Sequence, residues 1–600
     1  MAQKTRTEIE DTYKWDLTPI YPSVEEWRKE KVEIFKKIDT VQTYQGRLGR
    51  SAATLLEFLE FDSELNKTLT KLSCYASLLS DEDVNNAENI ALTKEIEQVT
   101  IDFAQKAAFV RPELASIPAA TYAAFMKEQP GLSQYSMLID RILRMRAHTL
   151  SDVEEALLAK MSIMGDTPGD TFNIFSDAEM PFPTIKLQSG EEVLLDHSAY
   201  SKVRASSVRA DRETAFKAFW ENYRKFEGTF GELMNGNLKR AVFGISARKY
   251  DSCLAAALHY NDIPVAVYKS LIDNVHAALP TFHRYLRLKQ RLLGVDQLKY
   301  SDIYAPAVAT SNLHFTYEEA KDLVLEALKP LGEDYVSVVR RAFAERWIDA
   351  MPSKGKATGA YSNGAIYDVH PYILMNFNEL YDDLGTLIHE LGHTMHSYLS
   401  NKNQPYATCD YSIFVAEVAS TFNEALLDHL MLQKLTDRDE RITLLMNMLD
   451  GFKGTLFRQT QFAEFQLLMS EMAEKGEPIT GQRLTELYGS ILRKYYGHDE
   501  GVCHIDRVEN IEWAFIPHFY MGFYVYQYST SFVASQALSE IVLKGGSEEL
   551  KRYINFLSAG DSKYPITELK EAGVDMTTSE PFEQAMNKMN QLMDEIEKLV

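Results

Sequence analysis

Apolar residues recur at three- and four-residue steps through most of this chain. Leu55, Phe58, Leu59, Leu65, Leu69, Leu72, Ala76 and Leu79 form one such stripe, with Ser51 placed to cap its start. Similar stripes run through about 86–110 and 136–163. The chain closes on Phe582, Met586, Met589, Met593, Ile596 and Val600. This spacing predicts amphipathic helices whose apolar faces pack into cores. A mainly α fold follows, and the stripes by themselves carry no chemistry.

Two stretches break the pattern. Pro181-Phe182-Pro183 leads into Thr184–Leu187, a polar glycine-bearing turn at Gln188–Glu191, and Glu192–Leu195. That reads as one β-hairpin. It sets an expected division into an N-terminal helical lobe, 1–195, ending in the hairpin, and a second domain, 196–600. The other break is Met351–Gly364, rich in Gly and Ser and loop-like. It is followed by the short β-prone run Pro371–Phe377.

Composition narrows the function classes. The 600 residues hold 63 Lys and Arg against 86 Asp and Glu, a formal charge of −23. Such a chain repels phosphate backbones and anionic lipid, so neither a nucleic acid nor a membrane surface is an expected partner. The four cysteines, at 74, 253, 409 and 503, are widely spaced and form no CxxC pair. That usage fits a reducing, cytoplasmic setting. The start has no apolar core of the kind a secretory signal needs. His518–Ser539 lacks Asp, Glu, Lys and Arg, but its Gln, Ser, Thr and Tyr content is too polar for a membrane span. It is expected as a buried, tyrosine-rich helix.

Chemistry enters at Leu384–His396, which contains His389-Glu390-Leu391-Gly392-His393. On a helix, residues four apart lie one above the other, so His389 and His393 aim two imidazoles at one point. Two neutral nitrogens so placed can hold one zinc ion at about 2.0–2.1 Å each. Glu390 sits beside them, positioned to take a proton from a water that the ion activates. Leu384, Leu387, Ile388, Leu391, Met395, Tyr398 and Leu399 supply the apolar stripe of that helix, and Asp382 or Asp383 suits its N-terminus. Gly392 costs helix stability, about 0.8–1 kcal/mol against Ala. Its presence implies close approach of another element.

Zinc needs a third protein ligand and an open position. The metzincin pattern fails, because His396 stands in its glycine slot and Leu399 in its last histidine slot. A downstream acid is the alternative. Glu417 lies in the apolar stretch Ile413–Phe422, where an uncompensated carboxylate is costly to bury. Glu424, two turns on along the same face, suits a hydrogen-bond acceptor for a ligand histidine. Periodicity leaves open which of the two binds the ion. Histidine-rich ligation favours zinc over manganese.

His-Glu-Leu-Gly-His-Thr-Met-His at 389–396 followed by Phe-Val-Ala-Glu-Val-Ala-Ser at 414–420 resembles the thimet-oligopeptidase-like zinc metallopeptidases, and among them the oligoendopeptidase F group. The likeness extends to Trp15-Asp16-Leu17, Gly359–Ser362, His370–Phe377 and the tyrosines after His518. It implies a two-lobed helical zincin-type fold with a deep central channel and a small β-sheet next to the active-site helix. It implies one Zn2+ held by His389, His393 and Glu417, with Glu390 as general base. It also implies short peptides as substrates, cut internally, and 371–377 as the sheet edge along which they align.

The resemblance further places oxyanion donors in Pro517–Tyr528: His518, with Tyr528 as the best tyrosine and Tyr524 and Tyr526 open. Preorganised donors at a developing oxyanion are worth about 10²–10³ in rate each. His504, near Cys503 and Asp506, reads as structural or simply polar. Two other readings are a metallo-carboxypeptidase on the same type of fold, which needs a cationic group for a free C-terminus, and a non-catalytic helical peptide-binding protein, which leaves Glu390 unexplained.

Overall fold

The structure is a computed structural model that describes residues 4–307 and 313–600. Ser51 opens the helix Ala52–Glu82 by accepting the N–H of Thr54. Its sequence stripe is its buried face, with Leu55, Phe58, Leu59, Leu65, Leu69, Leu72 and Ala76 all out of solvent. Trp27, on Val24–Ile38, is fully buried and donates its indole N–H to the carbonyl of Leu72 at 2.9 Å. Helices built in this way make up most of the molecule. The expected hairpin is present, Thr184–Lys186 pairing antiparallel with Glu192–Leu194.

The chain gathers into two compact units, each assembled from three segments. One comprises Met1–Ala147, Asn312–Leu430 and Ser535–Val574, the other His148–Ser311, Met431–Ala534 and Asp575–Val600. The expected division at 195 does not coincide with these units. Helix Thr167–Ile174 precedes the hairpin yet belongs to the second unit, where Phe172 packs on Phe230 with ring centroids 6.0 Å apart. A boundary read from local texture follows the turn chemistry of the hairpin. The units follow where buried aromatic rings find partners.

In the first unit the helical core continues into a three-stranded sheet. Trp15 meets Tyr372 edge to face at 6.2 Å, and the Tyr372 hydroxyl donates to the carbonyl of Asp16 at 2.8 Å. The sheet corrects one expectation. Tyr372–Leu374 is its central strand, parallel to Ile348–Asp349 on one side and antiparallel to Tyr361–Asn363 on the other. It is therefore not an edge. All three of its residues are buried, as a strand covered on both sides requires. The free edge nearer the site is Tyr361–Asn363.

The second unit encloses a fully paired charge. Glu512, 3% exposed, accepts from Arg458 at 2.6 Å and from the hydroxyls of Tyr300 and Tyr488 at 2.7 Å each. The tyrosine-rich segment is helical only from Tyr526, not from His518. A short 3-10 turn, Pro517–Met521, comes first. Gly522 and Phe523 then take left-handed backbone angles, φ 57° and 52°, which no helix can propagate through. Among the described residues no helix is long and apolar enough to cross a membrane.

Candidate metal centre

Two helices of the first unit build the site. Tyr381–Asn403 carries His389, Glu390 and His393, and Ile413–Lys434 carries Glu417 and Glu424. Asp383 secures the start of the first by accepting the N–H groups of Asn378 and Leu380, both at 2.9 Å. Leu384, Leu387, Ile388, Leu391 and Met395 form its buried stripe. The helices meet at Gly392. A Cβ there would lie 2.5 Å from Ser420 Cα and 2.6 Å from Ala419 O, so only glycine lets the two backbones approach this closely. That crossing brings Glu417, just before Ala419, level with the two histidines. Asn423 adds a bond across the same interface, donating to the carbonyl of Ile388 at 3.3 Å.

His389, His393 and Glu417 each offer one ligand atom, and the three atoms all lie within 4.8 Å of one another. Glu417 Oε2 is 3.5 Å from His389 Nε2 and 3.6 Å from His393 Nε2. Tetrahedral coordination with bonds of about 2.0–2.2 Å separates ligand atoms by roughly 3.3–3.6 Å. The donor set therefore fits a small divalent ion, with two imidazoles and one carboxylate leaving a fourth position open.

Each imidazole is held from behind. His389 Nδ1 bonds Glu424 Oε1 at 2.5 Å, which turns Nε2 towards Glu417. The backbone of Ala416 bonds His393. Ser420 Oγ donates to Glu417 Oε2 at 3.0 Å and aims that oxygen. Between the two acids that periodicity left open, Glu417 joins the histidines in the cluster and Glu424 lies behind His389. Such supporting bonds fix the tautomer and orientation of a ligand histidine.

Glu390 is 7% exposed. Burial pushes its carboxyl up to about 7, His389 draws it down, and Glu417 and Glu424 push it up again. The backbone of Ser362, on the edge strand, hydrogen-bonds this carboxylate. Ser362 Oγ also pairs with Thr394 Oγ1 at 2.8 Å, so the strand is tied to the motif helix on both sides of the glutamate. Burial disfavours charge on His389, but the bond to Glu424 outweighs it and holds that imidazole above its usual range. Burial and the neighbouring His389 hold His393 below it.

The remaining sequence candidates belong to the second unit. His518, Tyr524 and Tyr528 cluster there, with ring centroids 6.1 Å apart for His518–Tyr524, 6.2 Å for His518–Tyr528 and 5.5 Å for Tyr524–Tyr528. Tyr526 stands apart, buried with its ring 4.9 Å from that of Tyr268. His504 bonds Asp506 at 3.1 Å and takes no part in the metal cluster. Sequence reasoning missed Ser362, Thr394, Ser420 and Asn423. For the last two a signal existed, since both are polar positions inside the apolar run 414–427 that are fully buried in the fold.

The profile described as Peptidase family M3 matches residues 203–588, and one described as Oligopeptidase F matches 113–182. Oligopeptidase PepF of Bacillus subtilis (strain 168) is 41% identical over 600 residues, covering 100% of this chain and 89% of the relative. Group B oligopeptidase PepB of Streptococcus agalactiae serotype III (strain NEM316) is 39% identical, covering 99% and 98%. The crystal structure of oligoendopeptidase-F from Enterococcus faecium superposes with a TM-score of 0.74 at 34% identity, covering 96% of this chain and 99% of that one. With one profile spanning more than half of its length and relatives matched from end to end, the chain belongs to peptidase family M3.

Proposed function

We propose that the protein is a zinc-dependent endopeptidase that hydrolyses internal bonds of short oligopeptides in the cytoplasm. The observation that carries this reading is the trio His389, His393 and Glu417, spaced for one small divalent ion beside a buried glutamate. When bound, zinc supplies Lewis acidity, bringing a water into deprotonation range near neutral pH and polarising a peptide carbonyl.

Glu390 is the general base. It takes the proton of the attacking water and delivers it to the leaving amine, and the Ser362 backbone bond keeps its carboxylate oriented. A peptide adds as a further strand along Tyr361–Asn363, whose outer backbone groups are not used by the sheet. That places the scissile carbonyl beside the strand that orients Glu390. His518 and Tyr528, with Tyr524 next to them, donate hydrogen bonds to the oxyanion as negative charge develops on it. The names of the relatives, oligopeptidase and oligoendopeptidase, support internal cleavage of short peptides over the carboxypeptidase alternative. All four cysteines are free thiols, which suits a reducing compartment.

The test is hydrolysis of a quenched peptide blocked at both ends, paired with metal analysis. Activity should vanish on chelation, return with zinc at one ion per chain, and fall about 10²–10⁴-fold in Glu390→Gln with zinc retained. Wild-type turnover by Glu390→Gln would overturn the mechanism. Cleavage only of peptides with a free C-terminus would favour a carboxypeptidase.

A further inference from the structure

The motif helix, Tyr381–Asn403, carries a second pattern besides its apolar stripe. Glu390, Thr394, Ser397 and Asn401 follow one another at steps of four, three and four, so they share one face. That face meets the strand Tyr361–Asn363 and the glycine after it. The backbone of Ser362 bonds the Glu390 carboxylate. Thr394, fully buried, shares a hydroxyl bond of 2.8 Å with Ser362 Oγ. Ser397 packs directly on Gly364, where an added Cβ would lie 2.2 Å from Ser397 Cβ. Asn401 donates from Nδ2 to the Gly364 carbonyl at 3.0 Å.

Side chains alternate along a strand. Ser362 and Gly364 face the motif helix, and Tyr361 and Asn363 face the other way, towards Ala52–Glu82. There the Tyr361 hydroxyl donates to Asp81 Oδ2 at 2.6 Å, and Cys74 Sγ donates to Asn363 Oδ1 at 3.7 Å. Both faces are thus held, while the outer backbone edge is not used by the sheet. This arrangement admits one register. A slip of one residue turns the two faces round. A slip of two brings Ser362 or Ile366 opposite Ser397, where the space admits no Cβ, and Ala360 or Gly364 opposite Thr394, where the hydroxyl partner is lost.

We propose that Thr394, Ser397 and Asn401 are positioning residues for the reaction: they fix the height of the peptide-binding strand along the motif helix, and with it the alignment of the scissile carbonyl against Glu390. This rests on the endopeptidase reading above and adds the groups that set its geometry. The three act through the strand, not on the substrate. A misplacement of about 1 Å is enough to cost about 10²-fold in rate. Backbone bonds between a peptide and the strand survive such a shift, because the peptide moves with the strand. Loss of an anchor therefore falls on kcat and spares KM.

Steady-state kinetics on one doubly blocked peptide, with zinc content measured on the same preparations, tests this. Thr394→Val keeps the side-chain shape and removes the hydroxyl. It should lower kcat about 10–10²-fold with KM within about threefold of wild type and one zinc per chain retained. Thr394→Ser should restore most of the lost rate. Ser362→Ala should match Thr394→Val, and the double variant should be no slower than either single one, because both remove the same bond. Asn401→Ala, at a half-buried site near the helix end, gives a second anchor variant with the same expected split between kcat and KM. Amide hydrogen exchange over residues 361–364 should quicken in Thr394→Val, a readout that needs no turnover. Wild-type kcat in Thr394→Val with zinc bound, a loss carried by KM, or losses that multiply in the double variant would overturn the positioning role alone. A zinc-loaded wild type that cuts no blocked peptide would overturn the endopeptidase reading and this role with it.

Discussion

Glu424 stands behind His389 and bonds it directly, and at the residue scale it sets what His389 can do. Its bond at 2.5 Å occupies Nδ1 and leaves Nε2 to face Glu417. Loss of such a supporting acceptor typically costs about 10–100-fold in metal affinity. Glu424→Gln should therefore weaken zinc binding by that factor, with activity restored in excess zinc, read by titration against a competing chelator. The tyrosines allow a sharper discrimination. Tyr528 shares a cluster with His518, whereas Tyr526 is buried against Tyr268. Removal of one oxyanion donor costs about 10²–10³ in kcat. Tyr528→Phe should show a loss of that order and Tyr526→Phe should keep kcat close to wild type, in steady-state assays on one peptide. From the sequence, the resemblance favours Tyr528 and leaves Tyr524 and Tyr526 open, because the break at Gly522 and Phe523 that sets their phase arises from backbone angles that no periodicity reports.

The decisive feature at the scale of elements is the crossing of two helices at Gly392. Replacement by alanine gains about 0.8–1 kcal/mol of helix propensity. Against that stands a Cβ 2.5 Å from the Cα of Ser420 and 2.6 Å from the carbonyl oxygen of Ala419, both backbone atoms that cannot rotate away. Overpacking of this kind costs about 1–3 kcal/mol or more, so the clash wins. Gly392→Ala should lower the melting temperature and, by moving Glu417 away from the histidines, lower zinc stoichiometry below one per chain. Thermal melts and metal analysis of the same preparation check both. The helices themselves were readable from apolar period, cap and motif. The glycine even announced a close neighbour, though which neighbour required the fold. The small sheet was harder to read. Tyr372-Ile373-Leu374 is strand-like in composition, but whether a strand is central or at an edge depends on partners brought from elsewhere in the chain, here Ile348–Asp349 and Tyr361–Asn363.

For the whole molecule, residues distant in sequence share each unit, and some buried groups acquire their properties only from that assembly. Glu568 is one. It is 5% exposed in the first unit, and its Oε1 has no hydrogen-bond partner. In the sequence it is an unremarked acid on a short helix, Pro565–Ala572. Burial, with the charges of Asp561 and Glu571 adding to it, pushes its carboxyl from the ordinary 4.5 up to about 8, against the opposing backbone bond and charge of Lys563. The folded state thus keeps a proton that the unfolded chain releases. Below about pH 4.5 both states are protonated and the residue has no pH-dependent effect. Between 4.5 and about 8 the unfolded chain binds fewer protons, so stability falls as pH rises, by up to about 1.4 kcal/mol per pH unit. Above about 8 both states are ionised and the penalty is complete. Glu568→Gln keeps the shape and removes the ionisation. Its melting temperature should match wild type near pH 4.5, exceed it by a margin that widens towards pH 8, and hold that margin at pH 9. Melts of the two proteins at half-unit intervals from pH 4.5 to 9 measure the margin directly, and a constant difference across that range would show that Glu568 is ionised throughout in the folded protein.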